Sequence, residues 1–220
     1  MWLGGAMFVT SLAVCAHRYI FVWGHARSSD VHALSIVADA VLIGVFAAHH
    51  SVFARDTVKV RLARIVPVRL LRSVYVWTAS VLLVLVCWLW KPIGGDLYRA
   101  GGWLAGAHAA VQLAGLWIIA SSVRAIDPLE LAGIHSQAGP GPLQITGPYR
   151  WVRHPLYLGW MLAVFGAAHM TGDRLAFAAI TSAYLVVAIP WEEQSLTRLF
   201  GDDYGRYAAR VRWRVVPYLY

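Results

Sequence analysis

Two short polar clusters interrupt an otherwise apolar C-terminal third. Arg153-His154-Pro155 heads an apolar run from Leu156 to Met170, and Glu192-Glu193 closes a run from Leu175 to Trp191. Only Thr171-Gly172-Asp173-Arg174 separates the two runs, which read as a tight helical hairpin, tilted or partly re-entrant if it falls short of spanning. An up-and-down hairpin returns to the side it left. Both clusters therefore meet at one membrane face, and Tyr204, Tyr207 and Arg210 follow on the tail. Guanidinium forks bind carboxylates, and carboxylates bind ammonium groups or ribose hydroxyls, so this mouth suits a zwitterionic cytosolic ligand. Taken singly, each residue has a plainer explanation. Arg153 can snorkel to lipid phosphates and pair with Glu192 at the interface. Pro155 suits the first turn of a helix. Leu196, Leu199, Phe200, Tyr204, Tyr207 and Val211 at helical spacing describe an amphipathic surface helix. The combination is what points to a site.

The elements that carry these groups follow from hydropathy. Of 220 residues, 59% are hydrophobic and 14% charged, far from the roughly one quarter charged of a soluble domain. Six apolar segments run roughly over Trp2–Val22, Ala33–Phe53, Val74–Trp90, Trp103–Ser121, Leu156–Met170 and Leu175–Trp191. The first four approach the ~20 residues a helix needs to cross a bilayer. The expected fold is an all-α integral membrane bundle of five to six transmembrane helices, with the C-terminal hairpin and a cytoplasmic amphipathic tail helix. It forms one domain over residues 1–220, with an N-terminal four-helix part over 1–121 and a C-terminal part over 122–220. The N-terminus, apolar and without a basic leader, reads as a first span rather than a cleaved signal peptide.

Charge orients the bundle. Arg55, Lys59, Arg61, Arg64, Arg69 and Arg72 lie between the second and third segments, and Arg124, Arg150 and Arg153 between the fourth and fifth. Arg198, Arg206, Arg210, Arg212 and Arg214 follow the sixth, whereas the opposite loops hold only Arg27, Lys91, Arg99 and Arg174. Basic loops stay inside, so both termini and the polar mouth are expected to be cytoplasmic, with a bacterial inner membrane as the default location. The net charge of +8 then meets anionic lipid headgroups rather than nucleic acid.

Other polar positions read as structural. Cys15 and Cys87 sit in apolar stretches with no metal or redox spacing, and no metal site is expected. Asp39, costly in lipid, should face the interior and pair with a His or Arg of a neighbouring span. His49 and His50, adjacent on a helix, point apart and serve packing or the interface. His17 and Arg18 mark the outer edge of the first segment. Gly102 and Gly106 form a GxxxG suited to helix packing. Gly133–Gly147, rich in turn residues, reads as a connector over the cytoplasmic face.

The stretch from Thr146 to Gly159, TGPYRWVRHPLYLG, resembles the signature of the isoprenylcysteine carboxyl methyltransferase superfamily. Glu192-Glu193, Ser195-Leu196, Phe200-Gly201, Tyr204, Tyr207, Val211 and Pro217 are similar to that family's closing motif in order and spacing. Ala48–Arg55, Arg72–Val76 and Trp88–Pro92 resemble its methanethiol S-methyltransferase branch, also called NnrU-like. The resemblance implies a membrane methyltransferase using S-adenosyl-L-methionine, and no GxGxxG follows a strand pattern to suggest a Rossmann site instead. It implies a cofactor site lined by Tyr149, Arg153, His154, Pro155, Tyr157, Gly159, Glu192, Glu193, Tyr204, Tyr207 and Arg210. Arg153, His154 and Arg210 would take the methionyl carboxylate or adenosine, Glu192 or Glu193 the ammonium or ribose, and Glu193 is the candidate base. The expected acceptor is a small hydrophobic thiol, with an isoprenylcysteine carboxylate or a phospholipid amine as alternatives. The ending Arg212–Tyr220 is similar to that of NADPH-dependent sterol reductases, and a non-enzymatic NnrU-like accessory role is a further alternative.

Overall fold

The computed structural model describes residues 2–53, 55–126 and 141–220; most of the connector read at Gly133–Gly147 lies outside them. The elements are α1 (Trp2–His17), α2 (Ala33–Phe53), α3 (Asp56–Leu62), α4 (Val68–Leu89), β1 (Asp96–Arg99), α5 (Gly102–Ala125), α6 (Pro155–Phe165), β2 (His169–Thr171), α7 (Gly172–Phe200) and α8 (Asp202–Arg210). Five of the described helices are long and apolar enough to cross a membrane. Side chains that a soluble protein would bury face outward: Leu34 is 81% exposed, Trp103 79% and Trp88 76%. An apolar exterior belongs in lipid, and tryptophans near helix ends suit its interface. The chain is an all-α integral membrane protein.

The hydropathy reading holds in place but not everywhere in length. α2 coincides with the segment read from sequence, and α1 continues through a π-helical turn at Arg18–Val22. The fifth segment is different. α6 has 11 residues, about 16 Å of helix against a core of about 30 Å. The rest of that apolar run is the Gly166 end of α6, a short extended stretch and β2. Conversely α7 runs 29 residues, through Pro190 and past Glu192-Glu193, so the connection is Gly166–Thr171 and the polar residues Asp173 and Arg174 begin a helix.

The described residues form two compact units, 2–98 with 170–180 and 99–126 with 141–169 and 181–220. In the first, α4 packs on α1 and α2, and the rings of Trp23, Trp90 and Phe177 meet at 4.6–5.9 Å. Asp39 is fully buried, but its partner is neither His nor Arg. Oδ1 accepts the Lys91 backbone N–H at 2.9 Å, because the chain beyond α4 turns its unpaired amides inward. Asp173 does the same, accepting the Trp90 indole N–H at 2.7 Å and the Ile93 N–H at 3.1 Å. Asp173→Ala orphans two buried donors and is expected to lower stability by about 2–4 kcal/mol, with Asp173→Asn milder because an acceptor remains. Denaturant unfolding in detergent checks the ranking. Arg18, read as marking an edge, donates Nε to the Cys87 carbonyl at 2.8 Å, and both cysteines are buried free thiols.

In the second unit α5 and α6 touch backbone to backbone. A Cβ on Gly159 would lie 2.7 Å from the Gly115 carbonyl oxygen, and one on Gly115 would lie 2.6 Å from that of Gly159. Gln112 Nε2 donates to the Ala163 carbonyl at 2.8 Å across the same contact. Among the described residues, the GxxxG packing expected of Gly102 and Gly106 is not seen: a Cβ on either meets none of them within 4 Å. The small residues that bring these helices together are one on each partner, which a motif within a single helix does not reveal.

Candidate active site

The site lies wholly in the second unit, and its first wall is the entry to α6. Gly147, at φ 59°, occupies the left-handed region a Cβ disfavours, and opens a 3-10 turn over Gly147–Arg150. After the turn the chain extends and pairs with the C-terminal tail: Arg153 N–H donates to the Trp213 carbonyl at 2.9 Å and His154 N–H to that of Arg214 at 2.8 Å. Pro155 then starts α6 at the position where its missing N–H costs nothing. The second wall is the end of α7 with α8. Gly201, at φ 54°, breaks the helix between them. Tyr204, Tyr207 and Val211 are buried together against Leu143, Leu196, Phe200 and Ala208. The tail helix is therefore packed into the unit rather than laid on a surface, and the Tyr207 hydroxyl donates to the Tyr149 carbonyl at 2.9 Å.

Between these walls the two polar clusters meet, as the hairpin geometry requires. Glu193 is the hub. Its Oε1 accepts Arg153 Nε at 2.6 Å and lies 3.4 Å from His154 Nε2, and its Oε2 accepts Arg214 Nε at 3.2 Å. Arg153 Nη1 also donates to the carbonyls of Val211 and Arg212, both at 2.9 Å, so this side chain ties helix, turn and tail together. Glu192, one residue on and about 100° round the helix, faces another side. Its Oε2 accepts the Tyr157 hydroxyl at 2.6 Å and lies 3.5 Å from His154 Nδ1. The His154 ring stacks on Tyr157 at 5.3 Å with 16° between planes.

Burial and neighbouring carboxylates set the phenols. The Tyr149 hydroxyl is held well above its ordinary range by burial and by Glu192, and burial pushes Tyr207 up to about 12. Both stay protonated, and Tyr207 keeps the proton it donates to the Tyr149 carbonyl. Tyr204 is raised by burial and by nearby Glu193. Glu193, Tyr204 and Arg214 also line a cavity of about 490 Å³ with Pro190, Gln194, Thr197 and Arg198.

Most sequence candidates thus converge: Tyr149, Arg153, His154, Tyr157, Glu192, Glu193, Tyr204 and Tyr207 belong to one cluster. Gly159 is occupied by the α5–α6 contact. Arg210, the last residue of α8, is exposed and outside the Glu193 ion pairs. Arg214, four residues on, makes the contact instead. Sequence reasoning missed it because α8 ends at Arg210 and the return of the tail onto residues 153–154 is a long-range pairing. Its only local signal was a third basic residue in Arg210-x-Arg212-x-Arg214.

A family model described as phospholipid methyltransferase matches residues 105–203, which hold both polar clusters. The methanethiol S-methyltransferase of Crocosphaera subtropica is 31% identical over 96% of this chain and 89% of its own length. The chain belongs to the methanethiol S-methyltransferase family. Methanethiol S-methyltransferase 1 of Bradyrhizobium diazoefficiens is 35% identical over 80% of this chain, which spans 65% of that protein's length. The Mycobacterium tuberculosis relative of the same name is 34% identical over 80% of this chain and 76% of its own. With its membrane-length helices, the protein is a membrane methyltransferase.

Proposed function

We propose that the protein transfers a methyl group from S-adenosyl-L-methionine to a small hydrophobic thiol such as methanethiol, giving dimethyl sulfide. The observation that carries this reading is the meeting of Arg153, His154 and Tyr157 with Glu192 and Glu193 inside the stretch matched by the methyltransferase model. The relatives' names supply the acceptor class. The residues fit a zwitterionic donor: one carboxylate, Glu193, and two guanidinium groups, Arg198 and Arg214, line the cavity, in a volume typical of ligand pockets.

When bound, the donor supplies an electrophilic methyl carbon on a sulfonium. The protein's share is alignment and exclusion of water. The stacked His154 and Tyr157 rings and buried Tyr149 form a flat, water-poor wall. Glu192, whose side chain is 43% exposed, is placed to receive an ammonium or ribose hydroxyls beside the Tyr157 hydroxyl. Glu193, the sequence candidate for a base, has both oxygens engaged by cationic partners, so a thiol proton would compete with Arg153 there. We assign Glu193 and Arg153 to holding the site's shape. We assign this face, and both termini, to the cytoplasmic side, a reading supported by the basic loops.

A phospholipid amine is the second acceptor to consider, because the matching family model carries that description. Purified, lipid-reconstituted protein given labelled S-adenosyl-L-methionine with methanethiol, phosphatidylethanolamine or a prenylcysteine analogue separates the readings. Labelled dimethyl sulfide is expected. Label in phospholipid alone would replace the thiol, and no binding of the donor by calorimetry would overturn the proposal.

A further inference from the structure

Arg153 and Arg210 were the guanidinium groups expected to take the donor's carboxylate, but neither faces the cavity. Arg153 is 10% exposed, with Nε and Nη1 bonded to Glu193 and to the Val211 and Arg212 carbonyls. Arg210 is exposed at the end of α8 and does not line the cavity. Arg214 does line the cavity, and its side chain is 36% exposed. It is also held in a fixed direction. Nε is anchored on Glu193 Oε2, Nη1 donates to the Tyr220 hydroxyl at 3.1 Å, and the guanidinium carbon lies 5.2 Å from the Tyr220 ring centroid. Tyr220 is itself pinned, since its carbonyl oxygen accepts the N–H groups of Arg214, Val215 and Val216 at 2.9–3.1 Å. Among the described residues, Arg214 Nη2 has no partner. Glu193 and Arg198 line the same cavity.

A cation with an unused amino group at such an opening matches the α-carboxylate of an amino acid. We infer that this cavity takes the amino-acid end of the methyl donor, with Arg214 binding its α-carboxylate and Tyr220 acting as the positioning residue for that guanidinium. The inference rests on the reading that the donor is S-adenosyl-L-methionine. A guanidinium fixed before binding meets a carboxylate with little further ordering.

The test is calorimetric binding, without turnover, of S-adenosyl-L-methionine and its decarboxylated analogue to the reconstituted full chain. The wild type should prefer the carboxylate form by about 10- to 100-fold. Arg214→Ala should bring the two affinities together while leaving the decarboxylated analogue's affinity nearly unchanged. Tyr220→Phe, which keeps the ring and loses the hydroxyl, should lose part of the preference and Tyr220→Ala more. In the Arg214→Ala background Tyr220→Ala should add nothing. If the wild type discriminates and Arg214→Ala still does, or if Tyr220 and Arg214 effects add, the inference is wrong and the donor reading stands. If the wild type binds neither compound, both fail. Should Arg214→Ala not fold, the Tyr220→Phe ratio decides alone: an unchanged preference overturns the positioning role and a reduced one supports it.

Discussion

Arg153→Ala should abolish methyl transfer and destabilise the protein by about 3 kcal/mol, toward the lower end of the cost of stranding one member of a buried ion pair. The side chains of Arg153 and Glu193 are 10% and 14% exposed, so little water is at hand to replace the lost contact. The same substitution removes the donors from the Val211 and Arg212 carbonyls, leaving the tail held to the α6 entry by two backbone bonds. Loss of order there displaces Arg214 and His154 together. Because Glu193 is the hub, Glu193→Ala in the Arg153→Ala background should cost much less than it does alone, a coupling expected of residues that share an interaction. Unfolding and methyl transfer measured on the four members of this cycle provide the check. Additive losses would mean that the pair does not organise the site.

The sequence disclosed the meeting of the clusters because it depended on direction alone. Any hairpin from Pro155 to Glu193 returns to its starting side, whether α6 spans or not. Lengths were less legible. Gly166, Ala167 and Ala168 are as apolar as the helix before them, so hydropathy does not register where α6 stops. Glu192, Glu193 and Arg198 end the apolar pattern without ending α7, because a helix needs hydrogen bonds and not apolarity to continue past a membrane. Tyr204 and Tyr207 showed helical spacing, which fits a packed tail as well as a surface one; their burial depends on Tyr149 and Leu143, distant in the chain. The same holds for Arg214, which a returning tail brings to Glu193, and for Asp39, whose partner is a turned-in amide. Contacts made by backbone groups across many residues leave no pattern in side-chain types.

The α5–α6 contact makes the second large effect. Gly159→Leu is expected to separate the two helices and abolish activity, with Gly159→Ala already strongly destabilising. A single Cβ at 159 meets the Gly115 carbonyl oxygen at 2.7 Å, the Ile119 amide nitrogen at 3.0 Å and the Ile119 side chain at 2.8 Å. Two of those three neighbours are backbone, which cannot rotate aside, so relief requires moving a helix. Overpacking of this kind costs about 1–3 kcal/mol for small insertions and more for large ones. The displacement reaches the site directly, because α6 carries Tyr157 two residues before Gly159 and begins beside His154. Both would shift against Glu192. Gly106→Ala is the matched control on α5: none of the described residues lies within 4 Å, and alanine in place of a helical glycine is neutral or gains about 0.5–1 kcal/mol. Thermal unfolding in detergent and methyl transfer should therefore rank Gly106→Ala at or above wild type, Gly159→Ala well below and Gly159→Leu inactive. Equal tolerance at both glycines would show that the close approach at Gly115 and Gly159 does not set the position of α6, and with it the position of His154.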